Sequence, residues 1–169
     1  MGFVGDTLAD SKLNRSLMAG VRVGVALLWV QNAGWKQPPE FAALRQFTGW
    51  AVEFPVFGPY AWLVEHVVLP NFTPFGWGVL LVEAALGGFL LVGLATRFWA
   101  LVGIAQTVAI TLSVWNAPNE WHWSYLLMLL VHVAVFATAA GRFGGLDGVL
   151  RPGWQRAGTR WSRLLVRAS

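Results

Sequence analysis

Cysteine is absent from the 169 residues. That excludes disulfides, thiolate metal sites, iron–sulfur clusters and thiol redox chemistry carried by this polypeptide, so any electron chemistry must use another group or another subunit. Charge is scarce too: Asp, Glu, Lys and Arg make up 12% of the chain, against about 25% in ordinary soluble domains. Histidine occurs only as His66, His122 and His132. A haem held between facing helices needs paired deep histidines, and the first two of these fall near a boundary or in a connection, so no haem is expected. Glu65 and His66 are adjacent, which on a helix turns them about 100° apart and gives no metal-ligand spacing. Missing as well are a phosphate-cradling loop, a nucleophile elbow and a paired-carboxylate pattern. No independent hydrolase and no metal site is expected.

Apolar residues and tryptophan fill the space. Hydrophobic types reach 56%, eleven residues are Trp, and the mean hydropathy is +0.56. Trp gathers where lipid meets wet headgroups, so the composition is that of an integral membrane protein. The net charge of +4 is concentrated in basic residues near the two ends. In such a chain this bears on orientation before it bears on nucleic acid, and no nucleic-acid partner is expected.

Crossing the roughly 30 Å hydrocarbon layer takes about 20 helical residues. Four stretches reach that length: residues 16–35, 75–96, 98–116 and 121–141. The sequence therefore predicts an all-α membrane bundle of four helices in a domain covering residues 1–150. Lys12 and Arg15 ahead of the first stretch resemble a signal peptide's start, but no small-residue cleavage site follows, so we read it as a retained helix. Short connections around Arg97 and Ala117-Pro118-Asn119-Glu120 make the last three antiparallel neighbours. With the N-terminus inside, the cytoplasmic side receives Lys12, Arg15, Arg97, Arg142 and the arginines of the tail, while the outside receives Lys36 and Arg45. This bias predicts a multi-pass protein of a bacterial or archaeal cytoplasmic membrane with both termini in the cytoplasm.

The connection between the first two helices is nearly forty residues long and too apolar for a solvated loop. Pro39, then Phe41, Leu44 and Phe47, with Gly49 beyond, predict a short interfacial helix. Residues 56–69 form a second apolar stretch that is too short, with Glu65 inside it, for a full crossing. Small residues at Gly20 and Gly24, and again at Ala84 and Gly88, predict close helix packing or a homo-oligomer seam. In the tail, residues 151–169, arginines at helical spacing opposite Trp154, Trp161, Leu164 and Leu165 fit a basic amphipathic helix on headgroups or a solvated end.

An ionisable side chain in hydrocarbon costs about 2.5–3.5 kcal/mol on insertion scales and must find a partner or water. Counting rise along the helices puts Glu83 and His132 at the same level, about 12–14 Å below the outer surface, with Gln31 approaching from above. Arg22 and Gln106 fall in the inner half, where they are expected to meet. The functional reading makes Glu83 and His132 proton-handling residues beside a quinone, whose reduction takes two protons with two electrons. Gln31, Arg22 and Gln106 then line the site, and Trp29, Trp77 or Phe89 stacks on the ring. The structural reading is a buried hydrogen-bonded pair that fixes helix order.

Leu69-Pro70-Asn71, Phe75, Glu83 followed by Gly87 and Gly88, the Leu91-Val92-Gly93-Leu94-Ala95-Thr96-Arg97 turn, Glu120-Trp121, and Gly141-Arg142-Phe143-Gly144-Gly145-Leu146-Asp147 carry a resemblance. In that order and spacing they resemble DoxD, the small membrane subunit of thiosulfate:quinone oxidoreductase, within the wider DoxX-like group. The resemblance implies a four-helix membrane subunit that works with a second subunit, DoxA, in oxidising thiosulfate to tetrathionate with electrons passed to quinone. Glu83, Arg97, Arg142 and Asp147 coincide with the motif. The expected function is thus the membrane subunit of a quinone-linked oxidoreductase, with quinone as its redox ligand. The alternative is a non-catalytic accessory or assembly subunit of a larger respiratory or redox complex. A transporter would want broken helices or an inverted repeat, and neither is seen.

Overall fold

The computed structural model describes residues 11–169; the N-terminus, expected on the cytoplasmic side, lies in residues 1–10, outside the described residues. Those described are helical throughout, with no strand. The elements are α1 (Lys12–Gly34), α2 (Ala42–Glu53), α3 (Gly58–Leu63) running into a π-helical turn (Val64–Val68), α4 (Phe72–Val92), α5 (Thr96–Val114), α6 (His122–Thr138), a single 3-10 turn (Ala140–Arg142), α7 (Leu146–Ala157) and α8 (Arg160–Ala168).

Three of these, α1, α4 and α5, are long and apolar enough to cross a membrane, and α6 is a shorter apolar helix of 17 residues. Each long helix begins or ends where local chemistry dictates. The Ser11 hydroxyl accepts from the Asn14 amide at 3.1 Å and starts α1 four residues before the expected 16. Gly93 stops α4 at Val92 instead of 96: its φ of 68° is left-handed, which glycine adopts without strain, and the amide of Leu94 turns back to the Phe89 carbonyl. Ala139, at φ 46°, ends α6 three residues before the expected 141.

α1 packs along α4, α4 on α5, α5 on α6, and α6 back on α1, closing a four-helix ring. Its core is Val25, Ala26, Trp29, Leu86, Leu90, Ala100, Val135 and Ala140. Large apolar side chains also point outward, among them Leu27, Leu81, Leu101 and Leu130. A bundle with an apolar exterior of this extent is built for lipid, where close packing replaces the hydrophobic effect as the force between helices.

The packing seam differs from the expected one. A Cβ at Gly20, Gly24 or Gly88 would meet nothing within 4 Å, so this small-residue face looks away from the bundle. The close approach of α1 to α4 is instead at Gly87, where a Cβ would come 2.7 Å from Val30 Cγ2 and 3.4 Å from the Ala26 carbonyl oxygen. The segment between α1 and α4 does not trail as a loop. α2 packs against α5, and Phe41, Leu44 and Phe72 form a second small core. Phe41, expected on the face of α2, is its N-cap, and its buried ring lies where a side chain at position 76 would be.

Candidate functional site

α1, α4, α5 and α6, with α2 and α3, line a partly open cavity of about 1040 Å³. Its wall is mostly aliphatic and aromatic, with polar groups contributed by each of these helices. Glu83, at the middle of α4, is 1% exposed. Its Oε2 lies 2.5 Å from Lys36 Nζ, and its Oε1 accepts from Gln106 Nε2 at 3.2 Å. Asn32 also interacts with the carboxylate through its side chain, while its Oδ1 accepts from Trp35 Nε1 at 3.0 Å. The lysine sits just past the end of α1 and reaches back into the cavity. There Nζ donates to the Asn32 carbonyl at 2.9 Å and stands 4.1 Å from the Trp35 ring centroid. Burial holds the Lys36 ammonium below the usual lysine value, opposed by its hydrogen bond to Glu83 and by that carboxylate's charge.

His132 lies on the same cavity wall as part of a different unit. The indole Nε1 of Trp29 can only donate, so at 2.8 Å from His132 Nε2 it requires that nitrogen to be an unprotonated acceptor. Nδ1, 2.6 Å from the Met128 carbonyl oxygen, is then the protonated donor. Both ring nitrogens are occupied, which describes a neutral imidazole fixed in one tautomer. Gly103 on α5 makes room for it: a Cβ there would fall 2.2 Å from His132 Cδ2. Gly103→Ala is therefore expected to displace the imidazole and lower stability by about 1–3 kcal/mol, the usual range for overpacking a core. A detergent melting curve checks this, with Gly20→Ala, which meets open space, as the neutral control.

The sequence-derived site residues separate into three groups. Glu83, Gln106, Gln31, Trp29 and His132 all line the cavity. Glu83 and His132 share it but have separate hydrogen-bond partners. Trp77 is not part of the lining: it packs edge-on against Phe41, with ring centroids 5.7 Å apart, and is 44% exposed. Phe89 stacks on Trp99 on the outside. Arg22 and Gln106 do not meet, because Gln106 turns to Glu83 while Arg22 faces the opposite end of the bundle. The residue that sequence reasoning missed is Lys36, counted there only as a boundary charge. The available signal was its position: a lysine one residue beyond an apolar helix has a stem long enough to return its charge toward a buried carboxylate. Tyr60 was missed as well; its hydroxyl lies 2.8 Å from Ser113 Oγ and donates to the Ala109 carbonyl at 3.1 Å, tying α3 to α5.

At the other end, Asp147 caps α5. Its Oδ1 accepts from the Ala95 amide at 2.7 Å and its Oδ2 from the Thr96 amide at 2.9 Å, while its own amide donates to the Gly93 carbonyl at 2.8 Å. Arg22, 2% exposed, donates through Nη2 to the Gly144 carbonyl at 3.0 Å and feels the charge of Asp147.

Residues 18–168 match the family described as TQO small subunit DoxD. The chain belongs to the DoxD family. No curated protein and no solved structure matches it. The family places it with the small subunit of thiosulfate:quinone oxidoreductase, a component of a larger assembly, and together with the three apolar helices makes it a membrane protein.

The Gly93–Arg97 and Gly141–Asp147 motifs of this DoxD chain meet in one clasp. Gly93 supplies the left-handed turn, and a Cβ on it would fall 1.7 Å from Arg22 Nη1. A Cβ on Gly141 would strike Thr96 Oγ1 and Asp147. Arg97 lies 4.5 Å over the Phe136 ring, and Arg142 donates to the Ser169 carbonyl at 2.9 Å. These residues join the α4–α5 turn to the segment after α6, and none of them lines the cavity.

Proposed function

We propose that this protein is the membrane-embedded quinone-binding subunit of a thiosulfate:quinone oxidoreductase, with the Lys36–Glu83 pair as the polar end of the quinone site. The carrying observation is the ion pair itself, buried on the wall of a mostly apolar cavity of about 1040 Å³. Pockets for small molecules are typically about 300–1,000 Å³, mostly apolar, with a few convergent polar groups. A flat ring with polar oxygens and an isoprenoid chain fits that division of surface. Quinone supplies a two-electron acceptor that takes up two protons.

The chain's own residues do the rest. Lys36 Nζ donates toward an acceptor oxygen and holds a proton that its burial makes easier to release. Glu83 Oε2 keeps that proton in place by its charge; after Lys36 has released it, the pair is recharged by a proton taken up from water at the cavity mouth. Gln106 and Asn32 orient the carboxylate. His132, neutral and held from both sides, shapes the wall together with Trp29 and moves no proton. The electrons come from thiosulfate and reach the ring through another group or another subunit, since this polypeptide has no cysteine-based redox centre.

In this reading α6, extended by the turn after it, is the fourth span, and the end bearing Lys12, Arg15, Arg97 and Arg142 faces the cytoplasm under the positive-inside rule. The cavity then opens in the outer half of the membrane. Glu83→Gln keeps the shape of the side chain and removes its proton chemistry. It is expected to lower thiosulfate-dependent quinone reduction by about 10²-fold or more, the usual contribution of a positioned proton-transfer group, while the complex still assembles. Turnover near that of the parent would overturn the reading and favour an accessory subunit.

A further inference from the structure

α8 has three faces. One, carrying Ser162 and Ser169, is buried where the helix packs on α7 and α5. A second carries Arg160, Arg163 and Arg167, all exposed. The third carries Trp161, Leu164 and Leu165, which are 77%, 53% and 39% exposed. At 3.6 residues per turn these faces stand about a third of a turn apart. A water-soluble helix hides its apolar stripe and shows its charges; α8 shows both.

Charge and position both indicate what covers it. Residues 148–169 contain five arginines and no Asp, Glu or Lys, so the segment carries one sign only. α7 opens with Asp147, which caps the start of α5, so the α7–α8 pair sits at the bundle end where α4 turns into α5. For helices that cross a bilayer, that end is the headgroup level. An indole beside two leucines suits the acyl boundary, and arginines on the adjoining face extend long stems toward phosphate.

We propose that α8 is an in-plane anchor that binds anionic phospholipid, with Trp161, Leu164 and Leu165 inserted at the acyl boundary and Arg160, Arg163 and Arg167 on the phosphates. The proposal is independent of the quinone reading, and its test contains no activity measurement. The absence of native cysteine allows a single environment-sensitive fluorophore to be placed by Leu164→Cys on the full-length protein, reconstituted in nanodiscs of phosphatidylcholine with or without phosphatidylglycerol. The expected result is a blue-shifted emission and several-fold weaker iodide quenching only when phosphatidylglycerol is present. Both effects should be lost on Arg160→Gln/Arg163→Gln/Arg167→Gln, and a label at Arg163→Cys should remain quenchable in water. Native mass spectrometry of the unlabelled protein gives a second reading: retained phosphatidylglycerol in excess of phosphatidylcholine, abolished by the triple variant. The proposal fails if the Leu164 label is quenched equally in both discs, or is protected equally in both. It also fails if protection survives the triple substitution, or appears only when a solubilised membrane-protein fraction is added, which would make the face a protein-docking site.

Discussion

Lys36→Met is expected to cost about 3–5 kcal/mol of stability, the range seen when one partner of a buried ion pair is removed. Glu83 is 1% exposed at the centre of α4. With Lys36 gone, its carboxylate keeps only neutral donors, chiefly Gln106 at 3.2 Å. Glu83→Gln is expected to cost much less. Lys36 lies beyond the end of α1, so its four-carbon stem can carry the ammonium outward. In place it also retains the Asn32 carbonyl and the Trp35 ring. The double variant Lys36→Met/Glu83→Gln removes both charges together and is expected to regain most of the loss. A double-mutant cycle on detergent unfolding curves isolates the coupling. A coupling near zero would mean that water at the cavity mouth already screens the pair, and would remove the dry, low-dielectric setting on which the proposed proton chemistry depends.

Much of the bundle was legible because lipid imposes a length rule on apolar runs, and α1, α4 and α5 follow it. The helix ends were less legible. Gly93 and Ala139 both take left-handed conformations, and the cap on α5 comes from Asp147, 51 residues away from Thr96 in sequence. Glu83 was visible as a site residue because a carboxylate inside an apolar run is costly to bury and must be matched by a partner within the bundle. Its partner was hidden by the assumption that a charge just past a helix end faces water.

Position along a helix brought Glu83 and His132 to one cavity, but it grouped Gln106 with Arg22 instead of with Glu83, and azimuth was not legible. Glu83 and His132 do lie on one cavity, but a common level does not decide which face of a helix looks where. Trp77 illustrates the difference. It precedes Glu83 by six residues, which at 100° per residue carries it about two-thirds of a turn away, onto the face that meets Phe41. Gly20 and Gly24 do not pack within the bundle for the same reason: spacing identifies a stripe, and the azimuth of the helix determines which way it faces. The DoxD motifs, in turn, were legible as a set before they were legible as a structure. Their glycines leave room for a buried arginine and a buried carboxylate that a linear reading has no means of bringing together.

Asp147→Ala is expected to be comparable to Lys36→Met in cost, at about 3–5 kcal/mol, because it removes two hydrogen bonds from buried amides to a charged acceptor, each worth about 1.5–3 kcal/mol. Three losses coincide. The Ala95 and Thr96 amides at the start of α5 lose their acceptors, the helix N-terminus loses a favourable anion, and Arg22 loses the favourable charge of Asp147. Asp147→Asn keeps the shape and one acceptor oxygen, so it is expected to fall between the parent and Asp147→Ala. Arg22→Met/Asp147→Asn should recover part of the loss, as the cavity double variant does. The two sites then separate by readout. Asp147→Ala should lower the melting temperature and the yield of assembled protein while leaving quinone reduction per folded molecule close to the parent value, since the clasp touches no cavity residue. Glu83→Gln should do the reverse. If Asp147→Ala instead abolished turnover in protein that still melted normally, the clasp would belong to the chemistry, and the division of this molecule into a structural end and a reactive end would be wrong.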